Sequence, residues 1–254
     1  MRRIAVVGAS GRTGSKVVSA LVSDAQSDLC AAIVSLSSKV LGQKVIGSSV
    51  LYSSDLEILQ ACDGVIDFST PEVSARVAEV CVKYRKPLLV ATTGHTSEQQ
   101  ETLEASARSI PLCIAANTSV GAIALAMAAR YLKKLLGETF DVEVMEMHHR
   151  MKRDAPSGTA KEVLKGLSES SDQIVFGREK ERRSGEVGVV SVRGGDVPGD
   201  HTVFFLGEGE RLEVIHRAQN REIFGRGAVV LMCRLCDRPP GFYSAQELLL
   251  SGAE

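Results

Sequence analysis

Arg2-Arg3-Ile4-Ala5-Val6-Val7-Gly8-Ala9-Ser10-Gly11-Arg12-Thr13-Gly14 opens the chain, and Ser15 to Ser23 follows with Val17, Val18, Leu21 and Val22 at helical spacing. A short apolar run closed by glycine reads as a buried strand. Strand, glycine turn and helix form the context that a dinucleotide-binding loop needs. The glycines allow a tight turn, close approach of backbone to a pyrophosphate, and close helix–strand packing. The spacing is Gly-x-x-Gly-x-x-Gly rather than Gly-x-Gly-x-x-Gly, so the bare loop is a weak signal that a mere tight turn would share. With its flanks it favours nucleotide binding, and Gly8, Ala9, Ser10, Gly11, Arg12 and Thr13 become candidate cofactor contacts.

The alternation continues outward. Leu29 to Ser35 and Asp63 to Ser69 read as strands, Glu72 to Lys83 as a helix behind Pro71, and Pro87 to Thr93 as a further strand. Ser97 to Ser109 is an amphipathic helix, and the strand Pro111 to Ala116 runs into Asn117-Thr118-Ser119. Repeated strand–helix units predict a doubly wound parallel sheet of the Rossmann type. Ligands sit beyond the carboxyl ends of such strands. That rule adds Phe68, Ser69, Ala91, Thr92, Thr93, Ala115, Ala116, Asn117 and Thr118 to the Gly8–Thr13 rim.

After a helix from Val120 to Leu136 the pattern changes. Val142–Met147, Glu186–Arg193, His201–Leu206 and Arg211–Arg217 read as strands with glycine-rich turns between the later ones. They predict a second α+β domain on a mixed, mostly antiparallel sheet. The expected division is 1–119 with 228–254 for dinucleotide binding, and 120–227 for substrate binding and oligomerisation. A cleft between two such domains is a usual place for a substrate.

The chemistry is expected in Glu146 to Thr159. His148, His149, Arg150, Lys152 and Arg153 crowd into a few residues, the chain turns through Pro156 and Gly158, and Thr159 and Glu162 are spaced as a capping box. A cationic run entering a helix N-terminus favours an anion. An ordinary basic surface loop could show any one of these features. Paired histidines, Lys152 four residues after His148, and Ser157-Gly158-Thr159 opening the helix are three requirements met at once.

With 30 Lys and Arg, 31 Asp and Glu and no Trp, the chain lacks the broad basic face and the stacking platforms of a nucleic-acid binder. The six cysteines sit mostly in apolar runs, as free thiols of a reducing compartment do. Cys233 and Cys236 have the spacing of half a zinc site, but no second pair or neighbouring histidine completes it, so no metal is expected. The longest apolar stretch, Val120 to Ala129, is too short to cross a bilayer. No membrane or nucleic-acid partner and a cytoplasmic location are expected.

Nearly end to end, the sequence resembles the dihydrodipicolinate (4-hydroxy-tetrahydrodipicolinate) reductase family of the diaminopimelate route to lysine. The resemblance is carried by Gly8–Gly14, Asp67-Phe-Ser, Thr92-Thr-Gly, Ala116-Asn-Thr-Ser-Val-Gly121 and His148-His-Arg-Met-Lys-Arg-Asp-Ala-Pro-Ser-Gly-Thr159. It continues through Gly195–His201, Gly209-Glu-Arg-Leu-Glu and His216–Arg221. The resemblance implies NAD(P)H-dependent reduction of a small cyclic dicarboxylate by a homotetramer. It implies that His148 is the proton donor/acceptor and Lys152 its partner donor. It places His149, Gly158 and Thr159 on substrate, and Gly8–Thr13, Ala91–Thr93 and Ala115–Thr118 on the dinucleotide. The chemistry agrees: two carboxylates need an ammonium and oriented N–H donors, which Lys152 and the Ser157–Thr159 helix start offer. Hydride addition needs a nearby proton donor, for which histidine is the usual group.

Two positions depart from the family: Ala91 stands for a usual Gly, and Thr118 for a frequent Phe. After the second strand, Val34-Ser35-Leu36-Ser37-Ser38-Lys39 lacks the carboxylate that NAD-preferring folds place on the ribose. Hydroxyls with Lys39 or Arg12 suit a 2′-phosphate, which favours NADPH over NADH. A dinucleotide sensor without turnover would not need the His-His-x-x-Lys cluster. The Tyr-x-x-x-Lys dyad of short-chain dehydrogenases is missing at Tyr84 and Tyr131, and there is no Gly-x-x-x-x-Gly-Lys phosphate loop. His201 and His216 read as hydrogen-bonded sheet histidines, Arg221 as structural, and His95 and Arg178–Arg183 as solvated loop; Glu143 and Glu146 flank the site as carboxylates that would steady the basic cluster, a pattern that surface ion pairing would share.

Overall fold

The computed structural model describes residues 1–168 and 173–251. The chain divides into two compact units, Met1–Val120 with Arg221–Glu254, and Gly121–Asn220. No helix among the described residues is long and apolar enough to cross a membrane.

The first unit is a parallel sheet of seven strands: β1 (Arg2–Val7), β2 (Ser27–Ile33), β3 (Tyr52–Ser53), β4 (Gly64–Asp67), β5 (Leu88–Val90), β6 (Pro111–Ile114) and β12 (Gly241–Phe242). Their order is β12-β6-β5-β4-β1-β2-β3. The strand order reverses at β1, which pairs with β2 on one side and β4 on the other. Beyond the carboxyl ends of β1 and β4 lies the crevice that this topology leaves for a ligand. Val7, Val65, Leu88, Val90 and Leu112 form the sheet's share of one core, with Val77 and Cys81 from helix α2 (Pro71–Tyr84). Pro71 starts α2, where its missing N–H costs nothing.

The glycines of the first loop act as the sequence requires. Gly8 has φ +74, and a Cβ on it would overlap the Phe68 carbonyl oxygen at the end of β4. A Cβ on Gly14, the first residue of α1 (Gly14–Ser23), would overlap the Gly8 carbonyl oxygen. Helix α6 (Glu222–Leu235) seats Gly225 against the Lys16 carbonyl of α1. The return to this unit therefore begins with α6, whose first turn precedes residue 228.

The second unit has five strands in the order β11-β10-β7-β9-β8: β7 (Asp141–His148), β8 (Ile174–Phe176), β9 (Val187–Arg193), β10 (Asp200–Gly207) and β11 (Glu210–Arg217). The sheet is mixed. β10 is antiparallel to β7 and β11, while β9 is parallel to β7 and β8. One face is covered by α4 (Val120–Leu136) and α5 (Gly158–Leu167), which bury Leu125, Ala129, Val163 and Leu164 against Val142, Val144, Val203 and Phe205.

Two local readings are corrected. Helix α5 is capped by Ser157, whose Oγ accepts from the Ala160 N–H at 3.1 Å, and not by a Thr159–Glu162 box. Ser157 has extended backbone three residues before Ala160, whereas Thr159 already lies inside the first turn. The mixed-charge run is a loop whose other four residues are exposed, but Arg178 and Arg182 turn inward. Arg178 bridges Glu143 (2.9 Å) and Glu186 (2.7 Å), and Arg182 reaches Asp141 (2.8 Å) and Glu143. Gly188 on β9 makes room for this network, since a Cβ there would overlap the Glu143 carboxylate. Strands β3, β8 and β12 are too short to show alternation in the sequence.

Candidate active site

In the first unit a pocket of about 490 Å³, within the usual range for a ligand site, opens at the carboxyl rim of the sheet. Arg12, Thr13, Phe68, Ala91, Thr92, Thr93, Ala116 and Thr118 line it, and so do Ser69 and Phe224. Gly8, Ala9, Gly11 and Ala115 shape the rim behind that wall. The Ala9 N–H donates to the Ile33 carbonyl, Gly11 N–H to that of Gly8 and Ala115 N–H to that of Val90, each at 2.9 Å. Asn117 Oδ1 accepts from the Ser119 N–H (2.8 Å), and Ser10 is exposed. The exposed Arg12 guanidinium and the hydroxyl-lined wall fit a phosphate-bearing dinucleotide.

A buried carboxyl organises this rim. Asp67, fully buried at the end of β4, accepts from the Ser69 N–H (3.0 Å), the Thr92 hydroxyl (3.1 Å) and the hydroxyls of Ser69 and Ser74. Burial pushes its pKa up, and these neutral donors only partly offset it. Phe224 belongs to α6, and its carbonyl accepts from the Thr118 hydroxyl at 2.7 Å. An aromatic residue, Phe224, thus joins the pocket beside Thr118.

In the second unit, strand alternation puts Val142, Val144, Glu146 and His148 on the buried face of β7. Glu146 is fully buried. Its Oε2 meets His148 Nδ1 at 2.5 Å, and Arg193 forks onto both carboxylate oxygens at 2.9 and 2.6 Å. Burial alone would raise the Glu146 pKa, but the bonds from His148 and Arg193 outweigh it and hold the group well below the usual carboxylate range. Arg193 also donates to the Asp154 carbonyl (2.7 Å), and the Ser157 N–H points at Glu146 Oε1 (3.3 Å). One carboxylate therefore holds the imidazole and both ends of the turn before α5.

His201 lies across β10 from Glu146, and its ring stands edge-on to that of His148 with centroids 5.2 Å apart. Its Nε2 bonds the Ser157 hydroxyl at 2.9 Å. Burial and then the neighbouring His148 push the His201 pKa down to about 4, so its ring is neutral at pH 7. His216 follows at 6.3 Å from His201. Lys152 pairs with Asp154 at 2.9 Å, and the His149 N–H donates to the Val197 carbonyl. The charge bonded to His148 is negative, where the basic run alone suggests cations. Gly158 is exposed, and a Cβ on it would meet nothing within 4 Å. Thr159, next to it in the first turn of α5, is partly buried.

The family models "Dihydrodipicolinate reductase, N-terminus" and "Dihydrodipicolinate reductase, C-terminus" match residues 2–118 and 121–249. The chain belongs to the dihydrodipicolinate reductase family. It is 39% identical to the 4-hydroxy-tetrahydrodipicolinate reductase of Syntrophotalea carbinolica over 98% of this chain and 99% of that protein. It is 38% identical to that of Geobacter sulfurreducens with the same coverage. In fold it is similar to the dipicolinate-bound dihydrodipicolinate reductase of Paenisporosarcina sp. TG-14, with a TM-score of 0.80 at 24% identity, covering 97% of this chain and 98% of that one. A probable dehydrogenase from Thermotoga maritima shares the fold at a TM-score of 0.68 and 13% identity, covering 98% and 93%.

In this reductase, an oxidoreductase, sequence reasoning placed Glu146 only at the flank of the site, took His201 for a sheet histidine, and missed Arg193 and Phe224 as site components. Glu146 was within reach, because it continues the buried register of Val142 and Val144. Arg193 lies 47 residues along and Phe224 lies 106 beyond Thr118, and no local signal links either to its partner. Among the described residues no cluster of His, Cys, Asp and Glu could hold a metal ion, and all six cysteines are free.

Proposed function

We propose that this reductase converts 4-hydroxy-tetrahydrodipicolinate (dihydrodipicolinate) to tetrahydrodipicolinate in cytoplasmic lysine and diaminopimelate biosynthesis, using NADPH in preference to NADH. In this reading the first unit binds the dinucleotide through Gly8–Thr13, Phe68, Ala91–Thr93 and Ala115–Thr118. When bound, the nicotinamide supplies the hydride. The second unit binds the substrate, a small dicarboxylate. His148 gives the proton from Nε2, Lys152 is its partner donor, and His149, Ser157, Gly158 and Thr159 hold carboxylate groups. The observation that carries this reading is a buried imidazole fixed by Glu146 and joined, through Ser157, to the first turn of α5. Such a turn presents N–H groups and a positive dipole end to an anion. Gly158 supports it too: its neighbours leave a Cβ ample space, so packing does not account for glycine there, while close approach by a ligand would.

The NADPH preference rests on residues 34–39, which carry serines and a lysine but no carboxylate, and on Arg12 in the pocket wall. A homotetramer through the five-stranded sheet is part of the same proposal. Val190, Leu206 and Ile215 lie on the sheet face away from α4 and α5 and are 37–47% exposed. A light-scattering mass of one chain would remove this part.

The test of the reaction is nicotinamide absorbance with the product of the preceding synthase step. Turnover is expected with both cofactors, with kcat/KM about tenfold higher for NADPH, which is about 1.4 kcal/mol of selectivity. No oxidation of either cofactor would overturn the reaction, and a preference for NADH would overturn the cofactor reading alone.

A further inference from the structure

Resting on the reaction proposed above, we infer that Glu146 is the positioning residue of the site: its carboxylate fixes the tautomer of His148 and the pitch of the turn that binds substrate. The carboxylate accepts at Oε2 from His148 Nδ1–H. The proton on Nδ1 leaves Nε2 as the atom through which His148 exchanges protons with a ligand. Gly199 keeps that side open, since a Cβ there would stand 2.8 Å from Nε2. On its other oxygen Glu146 meets the Ser157 N–H, immediately before the helix start. Arg193 completes the device by holding both carboxylate oxygens and the Asp154 carbonyl inside the same turn. A rotation of the Glu146 side chain would therefore move the imidazole and the turn together.

The arrangement also explains a charge buried beside the active imidazole. A carboxylate out of water is costly unless paired and fully hydrogen-bonded, and Glu146 is both. An apolar side chain in its place would continue the register of Val142 and Val144 and pack with the core. It would leave Nδ1 and the Ser157 N–H without their acceptor and Arg193 without its counter-charge. The polar residue serves orientation, a role that a third group commonly plays for a catalytic histidine.

The experiment needs no substrate at its first stage. Multiple-bond ¹⁵N–¹H spectra of the full chain, labelled at histidine, are expected to show His148 with its proton on Nδ1. Glu146→Gln should convert it to a mixture of tautomers. A wild-type His148 protonated on Nε2 alone would overturn the proposal without any variant, so a Glu146→Gln chain that failed to fold would not protect it. Kinetically, Glu146→Gln is expected to lower kcat about a hundredfold while KM for the nicotinamide cofactor stays within about twofold. In a His148→Ala background the same change should lower kcat no further, because on the chemical step Glu146 acts only through the imidazole, while the rise in substrate KM that comes from the loosened turn persists. Losses in kcat that multiply in the double variant, or a pH–rate profile identical to wild type in Glu146→Gln, would overturn it. Failure of the reaction itself would show as a wild-type chain that consumes no cofactor, while the tautomer measurement would stand unaffected.

Discussion

Each unit buries a carboxyl beside its candidate site, and the two behave in opposite ways. Asp67 is surrounded by hydroxyls and an amide, and burial raises its pKa. Glu146 is as deeply buried, yet Arg193 and His148 hold its pKa far down. The donors around Asp67 are neutral, and neutral donors recover only part of the hydration that a buried anion loses. A guanidinium fork adds charge to the hydrogen bonds and tips the balance. The first unit consequently presents a rim of backbone, methyl and hydroxyl groups, where added atoms matter more than pH. The second presents a site held together by ionic pairing, where protonation matters more than shape.

Removing the cation should collapse this difference. Arg193→Met leaves Glu146 buried without its guanidinium, and breaking such a pair costs about 3–5 kcal/mol. A carboxyl whose pKa is lowered by folding contributes stability above its unfolded value, 4.5 here, and loses that contribution as pH falls. The gap between Arg193→Met and wild type in urea unfolding should therefore be large at pH 7 and narrow below pH 4.5. A loss under 1 kcal/mol at pH 7, or one that does not change with pH, would mean that Arg193 is not what offsets the buried charge.

His201 tests the same unit from the side of a buried base. Folding lowers its pKa from 6.5 to about 4, a difference worth about 3 kcal/mol at roughly 1.4 kcal/mol per unit. Burial is the main cause; His148, His216 and Lys152 add to it, and Glu146 opposes it. Between pH 6.5 and 4 the unfolded chain takes up a proton that the folded chain refuses. Stability from this group is thus complete above pH 6.5 and drains away as pH falls towards 4. His201→Gln should flatten the decline over that window even though it lowers the plateau above it. An unchanged slope would show that the ring is not neutral in the fold. His216, lowered in the same direction, contributes to the residual slope.

The contrast between the units also explains what could be read in advance. The first unit is mostly local in sequence, Phe224 apart: its strands and helices alternate along one stretch of chain, and Gly14 acts on the backbone of Gly8 in the same loop. The candidate site in the second unit is local only at its centre, from Glu146 to Ser157. Its ionic partner Arg193 and its neutral neighbour His201 come from other strands, brought alongside β7 by strand pairing. Nothing in the basic run distinguishes Lys152, paired with Asp154 a turn away, from a cation open to solvent. Charge networks such as Arg178–Glu143–Glu186 were illegible for the same reason, because alternating signs look alike in a loop and across a sheet edge.

The smallest expected effect sharpens the comparison most. Asp67→Asn keeps one carbonyl oxygen for the Ser69 N–H, and the hydroxyls of Ser74 and Thr92 can rotate to accept from the new amide group. Because burial already favours the uncharged acid, the substitution should change stability by no more than about 1 kcal/mol. Its pH dependence should run opposite to that of Arg193→Met. A carboxyl with a raised folded pKa contributes its stability below its unfolded value of 3.8, and that contribution is lost as pH rises through the folded pKa. The Asn variant should thus be at its worst near pH 4 and level with wild type, or above it, at pH 8. If it instead lost several kcal/mol at pH 8, Asp67 would be a stabilised anion like Glu146, and the two carboxyls would obey one rule rather than two.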